Sequence, residues 1–473
     1  MVEFKVHGHA CLEVIASGKS IICDPWLVGS AYWRSWWNYP PLKPNVLEEI
    51  NPDYIYVTHI HWDHFHGPTL RKLGTDKKII IPKTPELRLL KDIKNIGFKN
   101  IIEVEHGESI QLAEDFRLTS YQFGPVFADS VVIIEAEDQV LFNSNDAKIM
   151  GLPLQQVLEL HPKIDFVFRS HSSANSRVCY ELIDEAGGHT DDLGKYSQEF
   201  AYFAQAVNAK YAIPFASNQC CLHPETIDYN QYNNYAHKVE KYFQKYQITN
   251  PKCVVMAPGD SWNSETGFCL ENNTEWYTDA TAKISSYQQV KAKTLNKVTE
   301  RENRAKFKEN LAKKYAERMI AETPWFIRRF FKDHPITIIG YSEVEQKGLH
   351  LDLYKKIYEI IEEWDMNNNP IQVYVNNAVI NDVWAQRHWN SLGVSKRLKI
   401  KTRRQETKYY EVFNLLNNSL EAGSLQSRYI FTPRYMSGYI KRWREILLYF
   451  SIIGNKLRGK EFIYKNYLPL PYK

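Results

Sequence analysis

Three histidines and one aspartate lie within six residues of one another, directly after a predicted strand. The strand is the apolar and aromatic run 54–57, and residues 58–64 read Thr-His-Ile-His-Trp-Asp-His. Aromatic and β-branched residues that stop at a polar segment are typical of a buried strand that enters a loop. Imidazole and carboxylate groups are ligands of zinc, iron and manganese. The stretch therefore predicts a metal site at a strand end, where α/β enzymes build their active sites.

The order His-x-His-x-Asp-His resembles the motif of the metallo-β-lactamase superfamily. This resemblance implies an α/β fold, the αββα metallo-β-lactamase sandwich, with a dinuclear metal site. It also implies that His59 and His61 bind the first ion, and that Asp63 and His64 bind the second. Asp146 follows a predicted hairpin and matches the aspartate that bridges the two ions in the family. Asp63 is also a catalytic candidate, because it would orient a metal-bound water.

Two ligand positions of the family are not filled by histidine in this sequence. Family members carry a further histidine in a turn before the bridging aspartate, whereas residues 121–126 read Tyr-Gln-Phe-Gly-Pro-Val, and the nearest histidine is His106. The final histidine also has no counterpart after the predicted strand 211–214. His171, His223 and His189 are the candidates for that position. An altered ligand set resembles the oxygen-activating diiron members of the superfamily, where carboxylates or open positions replace a histidine.

Two segments near the N-terminus add candidates for catalysis and substrate binding. The Gly-His-Ala sequence resembles a segment at the mouth of the metal site in one branch of the superfamily, so His9 is a catalytic candidate or else satisfies a backbone group. The segment 24–41 resembles the metallo-β-lactamase-like part of the CMP-N-acetylneuraminate hydroxylase family. Its tryptophans Trp26, Trp36 and Trp37 are substrate-binding candidates, because aromatic faces stack on planar or sugar rings. Packing of this loop on the core is the alternative.

Asp260 is the last substrate-binding candidate. It follows the predicted strand 254–256 within a Pro-Gly-Asp loop. Such a loop suits the metal-bearing edge of the sheet, but aspartate is also a common turn residue. The sequence leaves both roles open.

The C-terminal part of the chain differs from the rest in charge. Residues 291–473 carry 34 basic and 19 acidic side chains, whereas residues 1–290 carry 25 and 36. This asymmetry predicts a catalytic domain over 1–280, a long connecting helix over 281–323 and a basic α+β module over 324–473. Within that module we expect strands at 336–339 and 372–375 and a helix at 352–364. The module would face an anionic substrate, an acidic partner, a membrane surface or nucleic acid, unless its lysines are merely solvated.

Composition sets the outer bounds on the class of protein. A chain of 473 residues with 44% hydrophobic and 24% charged residues is an ordinary globular protein. No stretch reaches the roughly 18 apolar residues of a membrane span, and the N-terminus has no signal-peptide layout. The seven cysteines have no CxxC spacing. We expect a reduced cytoplasmic enzyme without a membrane span, and we leave an oligomer open.

Three functions compete on this evidence. The leading hypothesis is a diiron oxygenase that hydroxylates an anionic, sugar-nucleotide-like substrate. Its electrons would come from a separate donor protein, since the chain does not contain the two separate Cys–His pairs of a Rieske cluster. The alternative is a zinc or manganese hydrolase of a phosphoester, lactone or amide, in which the ions lower the pKa of a bound water. A nucleic-acid-binding or non-catalytic protein is the third hypothesis, and the nearly complete ligand motif opposes it.

Overall fold

The computed structural model describes residues 1–126, 128–172, 174, 176–185, 193–271, 273–423, 431–458 and 460–469. Its strands, numbered in chain order, are β1 Glu3–Val6, β2 Leu12–Ala16, β3 Lys19–Cys23, β4 Trp36–Asn38, β5 Tyr54–Tyr56, β6 Lys78–Pro82, β7 Ile101–Val104, β8 Glu108–Ala113, β9 Phe116–Phe123, β10 Asp129–Ala136, β11 Gln139–Asn145, β12 Phe166–Ser170, β13 Tyr180–Leu182, β14 Tyr211–Phe215, β15 Gln219–Cys221, β16 Lys252–Cys253, β17 Ser261–Asn263, β18 Gly267–Cys269, β19 Ile336–Tyr341, β20 Gln346–Asp352, β21 Ile357–Ile361, β22 Ile371–Asn376 and β23 Leu398–Thr402. Its α-helices are α1 Gly67–Leu73, α2 Arg88–Ile96, α3 Gly151–Leu160, α4 Leu193–Val207, α5 Ala236–Lys245, α6 Ala280–Asn303, α7 Glu309–Glu322, α8 Trp325–Phe330, α9 Asn377–Gln386, α10 Trp389–Ser395, α11 Thr407–Ala422, α12 Pro433–Lys441 and α13 Trp443–Leu457.

Two large sheets face each other across a shared apolar core. The first has the order β18-β17-β1-β2-β3-β5-β6-β7, and the second has the order β16-β14-β12-β11-β10-β9-β8. Phe4 and Tyr56 of the first sheet lie in one buried cluster with Phe116 and Phe166 of the second. The rings of Phe4 and Phe166 meet edge to face, with centroids 4.9 Å apart. Packing of this kind is favourable for aromatic pairs, and it holds the two sheets in register.

Helices cover the outer face of each sheet. Leu70 of α1 and Ile93 of α2 pack in one cluster with the outward-facing isoleucines of β3, β5 and β6. Leu154 of α3, Phe200 of α4 and Val239 of α5 pack in another cluster on the second sheet. The four layers are therefore helix, sheet, sheet and helix. This arrangement confirms the αββα sandwich expected from the sequence.

A third sheet, with the order β13-β23-β22-β19-β20-β21, forms the C-terminal α+β module. Its core contains apolar side chains from α7, α9, α10 and α11. Strands β19 and β22 contain the two predicted segments 336–339 and 372–375. Strand β13 comes from the N-terminal part of the chain, and its Tyr180 pairs with Ile400 of β23. The domain boundaries at residues 280 and 323 stay a prediction. The third sheet nevertheless includes β13, which lies before residue 280.

The predicted connecting helix over 281–323 is two helices, α6 and α7, and the prediction of one helix was wrong. The backbone between them is satisfied by side chains of the C-terminal module. The Asn381 amide accepts a hydrogen bond from the N–H of Lys308 and donates one to the carbonyl of Lys306. Asn377 donates to the carbonyl of Ala305. Helix propensity cannot reveal such contacts, because their partners lie far away in the sequence.

The predicted helix over 352–364 was also wrong. Strand β20 ends at Asp352, and β21 returns beside it, with Leu349 opposite Ile360. Tyr358 and Ile360 both pack against the core of the module, which is the two-residue period of a strand. The segment 352–364 contains lysine, glutamate and isoleucine, as many helices do. Packing on the neighbouring strand nevertheless decides its conformation.

Helices α12 and α13 return from the third sheet to the sandwich. Leu448 of α13 is buried in the same cluster as Leu154 of α3. The Arg169 guanidinium donates to the Tyr464 hydroxyl at 2.7 Å and lies 3.8 Å from the ring centroid of Phe203. Within the part of the chain that the structure describes, every helix is too short or too polar to span a lipid bilayer.

Candidate metal centre

The motif loop is anchored by a buried aspartate from the neighbouring strand. Asp24 follows β3, and β3 pairs in parallel with β5, which leads into the motif. The backbone N–H and the hydroxyl of Thr58 donate to the Asp24 carboxylate at 2.8 and 2.7 Å. His64 Nδ1 lies 2.7 Å from Asp24 Oδ2, and His59 Nδ1 lies 2.9 Å from Thr58 Oγ1. Because these bonds occupy the Nδ1 atoms, Nε2 of His64 remains for a ligand, and Nε2 of His59 faces His61 Nδ1 at 2.8 Å.

The ligand candidates form two clusters, each within 4.8 Å. The inner cluster is His9, Asp63 and His64, and all three residues are buried. The outer cluster is His59, His61 and Asp146, and it is partly open to solvent, since the Asp146 side chain is 25% exposed. His64 Nε2 lies 3.6 Å from Asp63 Oδ2 and 3.5 Å from Asp146 Oδ1, so it connects the two clusters.

The donor atoms fit metal ions. His64 Nε2 and Asp146 Oδ1 are buried and make no hydrogen bond among the described residues. Such atoms are costly to bury without a partner. A tetrahedral ion with bonds of about 2.0–2.2 Å holds its ligand atoms about 3.4 Å apart, close to the observed separation of these two atoms. Each cluster offers two imidazoles and one carboxylate, which suits zinc, iron or manganese.

The electrostatic field of the site favours positive charge. Burial opposes protonation of His64, but Asp146, Asp63 and Asp24 prevail and raise its pKa to about 10. Burial also opposes ionisation of Asp63, but His64 and His9 lower the pKa of that carboxyl far below its usual range. By contrast, burial lowers the pKa of His59. The site thus holds ionised carboxylates around a point where a cation is stable.

Asp129 is a further carboxyl at the site that sequence reasoning missed. Burial and then the Asp146 carboxylate raise the pKa of Asp129 well above its ordinary value. Its neighbour Ser130 donates to the carbonyl of Thr58 at 2.8 Å and accepts from Asn145 Nδ2 at 2.7 Å through its own carbonyl. Asp129 lies just after the segment 121–126, where this sequence does not have the additional histidine of the family. A search for carboxylates in that region would have found it.

Tyr32 is the second residue that sequence reasoning missed. Its buried hydroxyl donates to Asp63 Oδ1 at 2.5 Å. His9 Nε2 lies 2.8 Å from the other oxygen of Asp63. The Tyr32 ring stacks on Trp62, with centroids 5.8 Å apart. Tyr32 and His9 therefore contact the two oxygens of the Asp63 carboxylate. In the sequence, only the high aromatic content of the loop 24–41 indicated a role for Tyr32.

The three tryptophan candidates divide between two faces of the loop. Trp26 and Trp36 are buried beside His9, with ring centroids 5.6 and 6.1 Å from that imidazole. Trp37 points the other way, into a cluster with Tyr287, and Lys291 lies 5.4 Å from the centroid of its indole. The structure therefore brings Trp26 and Trp36 to the inner cluster and does not bring Trp37 there.

His171 lies one strand away from the inner cluster. Its backbone N–H donates to Ser217 Oγ, and the N–H of the adjacent Ala216 donates to the carbonyl of His9. Burial lowers the pKa of His171 to about 3. Among the described residues, His171 belongs to neither cluster, although His9 is near enough to lower its pKa further.

The structure also keeps His223 and Asp260 out of the two clusters. His223 Nε2 lies 3.1 Å from Glu302 Oε2, within a buried ion network that includes Arg397. The Asp260 carboxylate accepts the N–H groups of Ala257 and Glu271, so it closes a turn.

Among the described residues, His106 does not extend the ligand set. His106 Nδ1 accepts the N–H of Gln122, and His189 lies outside the described residues.

The C-terminal module packs against residues beside the metal centre. The Trp62 ring meets His388 edge to face at 5.0 Å between centroids. Trp33 Nε1 donates to Asp382 of α9 at 2.7 Å, and Ser35 Oγ donates to the carbonyl of Ser395 at 2.7 Å. Residues of α9 and α10 therefore pack on the loop 24–41, and His388, between these two helices, packs on the metal motif.

Comparisons with known proteins give one family match. Residues 3–181 match the family model described as a beta-lactamase superfamily domain. A protein of Mycolicibacterium smegmatis named as a Rieske 2Fe-2S iron–sulfur protein is 30% identical over 245 residues, which are 47% of this chain and 45% of the relative. The cytidine monophosphate-N-acetylneuraminic acid hydroxylase of Xenopus laevis is 33% identical over 146 residues, 29% of this chain and 24% of that protein.

Among solved structures, CmlA, a diiron beta-hydroxylase from Streptomyces venezuelae, is 15% identical with a TM-score of 0.39. The match covers 55% of this chain and 54% of that one. The matched regions span less than half the length of each of the two curated relatives.

Proposed function

We propose that this chain, whose residues 3–181 form a beta-lactamase superfamily domain, is a diiron oxygenase that hydroxylates an anionic substrate. The inner and outer clusters each hold one iron. The observation that carries the proposal is that each cluster consists of two histidines and one carboxylate. This donor set is the one that holds a single iron in mononuclear non-haem oxygenases, and it would leave coordination positions open on each ion.

The names of the relatives support the direction of this proposal. One is named as a hydroxylase of a sugar nucleotide, and another as a Rieske iron–sulfur protein. We therefore propose an anionic, sugar-nucleotide-like substrate as the first class to test. We propose that the electrons come from a separate donor protein; these 473 residues do not contain two separate Cys–His pairs for a Rieske cluster.

The residues of the chain have distinct tasks in this proposal. Bound iron would supply oxygen activation. Asp24 holds His64 in one orientation, and Tyr32 holds Asp63. Trp26 and His9 close the inner cluster from solvent, which favours substrate entry from the side of the partly exposed Asp146.

A hydrolase is the second candidate function, and the ionised, hydrogen-bonded carboxylate of Asp63 favours it. This carboxylate stays ionised beside two histidines, and the Tyr32 hydroxyl fixes it at 2.5 Å. A fixed, ionised carboxylate at a metal centre is suited to orient an attacking water. With zinc or manganese in the clusters, the same residues would serve hydrolysis of a phosphoester, lactone or amide.

Metal analysis of anaerobically purified protein separates the two functions. For the oxygenase we expect two irons per chain and a near-ultraviolet absorption band that changes when oxygen is admitted. Zinc or manganese without any response to oxygen would instead support the hydrolase, and a panel of phosphodiesters and lactones would follow. A metal-free protein that takes up neither iron nor zinc would contradict both functions.

A further inference from the structure

Helices α12 and α13 expose a row of large apolar side chains. Met436 and Ile440 lie on α12, and Trp443, Leu447 and Phe450 lie on α13, at alternating spacings of four and three residues. Within each helix, such spacing places the side chains on one face, and the single residue Arg442 separates the two helices. Each of the five is between 47% and 67% exposed. We call these five residues the C-terminal apolar face.

This face is not the result of a loosely attached helix. The opposite side of α13 is fixed to the sandwich by Leu448, which is 3% exposed. The buried carboxylate of Glu445 accepts the N–H of Gly124 at 2.7 Å and pairs with Arg442. The helix is therefore apolar on both sides, and only one side has a partner within the described residues. Contiguous exposed apolar surface of this kind usually marks an interaction site.

Basic side chains outnumber acidic ones in the segment that carries the apolar face. Arg444 lies 4.9 Å from the ring centroid of Trp443. Of the acidic residues in the described part of 431–469, Glu461 is exposed, whereas Glu445 is buried and paired. The exposed basic residues of the same segment are Lys456, Arg458, Lys460 and Lys465, and also Lys441, which pairs with Glu105 of the sandwich.

We propose that the C-terminal apolar face binds the surface of a membrane that contains anionic lipids. The segment has the composition of an interfacial helix, with exposed tryptophan, phenylalanine and leucine on one face and exposed lysine and arginine in the same segment. The apolar side chains enter the boundary between headgroups and acyl chains, and the basic residues attract lipid phosphates. A second copy of the chain fits less well, because it would bring the same positive charges face to face.

Flotation with lipid vesicles tests this proposal on the full-length protein. We expect the protein to float with phosphatidylcholine vesicles that contain phosphatidylglycerol, and to bind more weakly when that anionic lipid is omitted or salt is raised. Phe450→Glu should weaken binding about tenfold or more, because it replaces an inserted ring by a charge. Phe326→Glu on α8 is the matched control: it adds the same charge at an exposed phenylalanine outside the face and should change binding little.

Quenching by brominated lipids adds a readout for the position of the face. We expect these lipids to quench tryptophan fluorescence, and we expect Trp443→Phe to remove most of that quenching. The proposal is overturned if the protein does not float with anionic vesicles, or if Phe450→Glu and Phe326→Glu weaken binding equally. It is also overturned if Phe450→Glu only dissociates a dimer or releases an acidic protein partner. None of these outcomes depends on the metal content or on the proposed oxygenase activity.

Discussion

Asp24 Oδ2 lies 2.7 Å from His64 Nδ1, although 40 positions of sequence separate the two residues. A carboxylate can only accept, so Nδ1 of His64 donates and Nε2 faces the two clusters. The same carboxylate binds the backbone N–H of Thr58, one residue before His59. One buried aspartate therefore orients histidines that belong to different clusters.

Replacement of Asp24 tests this orienting role. In Asp24→Asn the amide has one acceptor instead of two and no charge, so we expect metal affinity to fall about 10–100-fold, as for other partners of metal-bound histidines. Asp53→Asn is the control, because Asp53 binds Lys19 at the surface. Isothermal titration with divalent metal measures both variants. Unchanged affinity in Asp24→Asn would show that His64 does not depend on this contact.

Loss of one ligand should remove one ion. His61 belongs to the outer cluster, so His61→Ala should leave about one metal per chain, in the inner cluster, and abolish activity. Metal analysis after gel filtration measures the content. His350→Ala is a suitable control, because His350 lies in the third sheet beside Thr337. Two metals per chain in His61→Ala would contradict the assignment of His61 as a ligand.

The buried ion network between the sandwich and the C-terminal module should contribute strongly to stability. Arg397 is buried, and it donates to Glu302 at 2.7 Å, to Glu225 at 2.8 Å and to the carbonyl of Trp33 at 2.8 Å. Arg397→Leu leaves the two carboxylates without a cation, so we expect the free energy of unfolding to fall by about 3–5 kcal/mol. Urea denaturation measures this change.

The matched control for this network is Lys401→Ala, at an exposed ion pair on β23, the strand that directly follows Arg397. Its expected cost is within about 0.5 kcal/mol. If Arg397→Leu cost no more than this control, the network would not hold the two parts together.

Glu86 should make stability depend on pH. Burial raises the pKa of this carboxyl to about 7 in the folded protein. The folded state therefore binds more protons than the unfolded state between the ordinary pKa and about pH 7, and the contribution of Glu86 to the free energy of unfolding falls as pH rises through that window. Glu86→Gln removes this contribution. Urea denaturation from about pH 5 to about pH 8 should show a flatter profile for the variant than for the wild type; identical profiles would contradict the prediction.

The ligand candidates that lie within one segment could be predicted from the sequence. His59, His61, Asp63 and His64 follow one strand without interruption, so the backbone of a single loop brings them together. Asp146 could also be predicted from the sequence, because it follows the last strand of a hairpin that runs to the same edge of the sheet. The alternation of apolar residues also predicted the strands of the sandwich, since burial on one or both faces of a sheet imposes that pattern.

Tertiary structure alone decided which residues complete the clusters. His9 joins Asp63 and His64 because the first strands pack beside β3 and β5, and no local spacing encodes that contact. Packing likewise turned Trp37 away from the site and made 357–361 a strand. Spacing along one segment is fixed by backbone geometry, so the sequence determined the ligand motif. Contacts between distant segments depend on how whole layers pack, so only the fold determined the rest of the site.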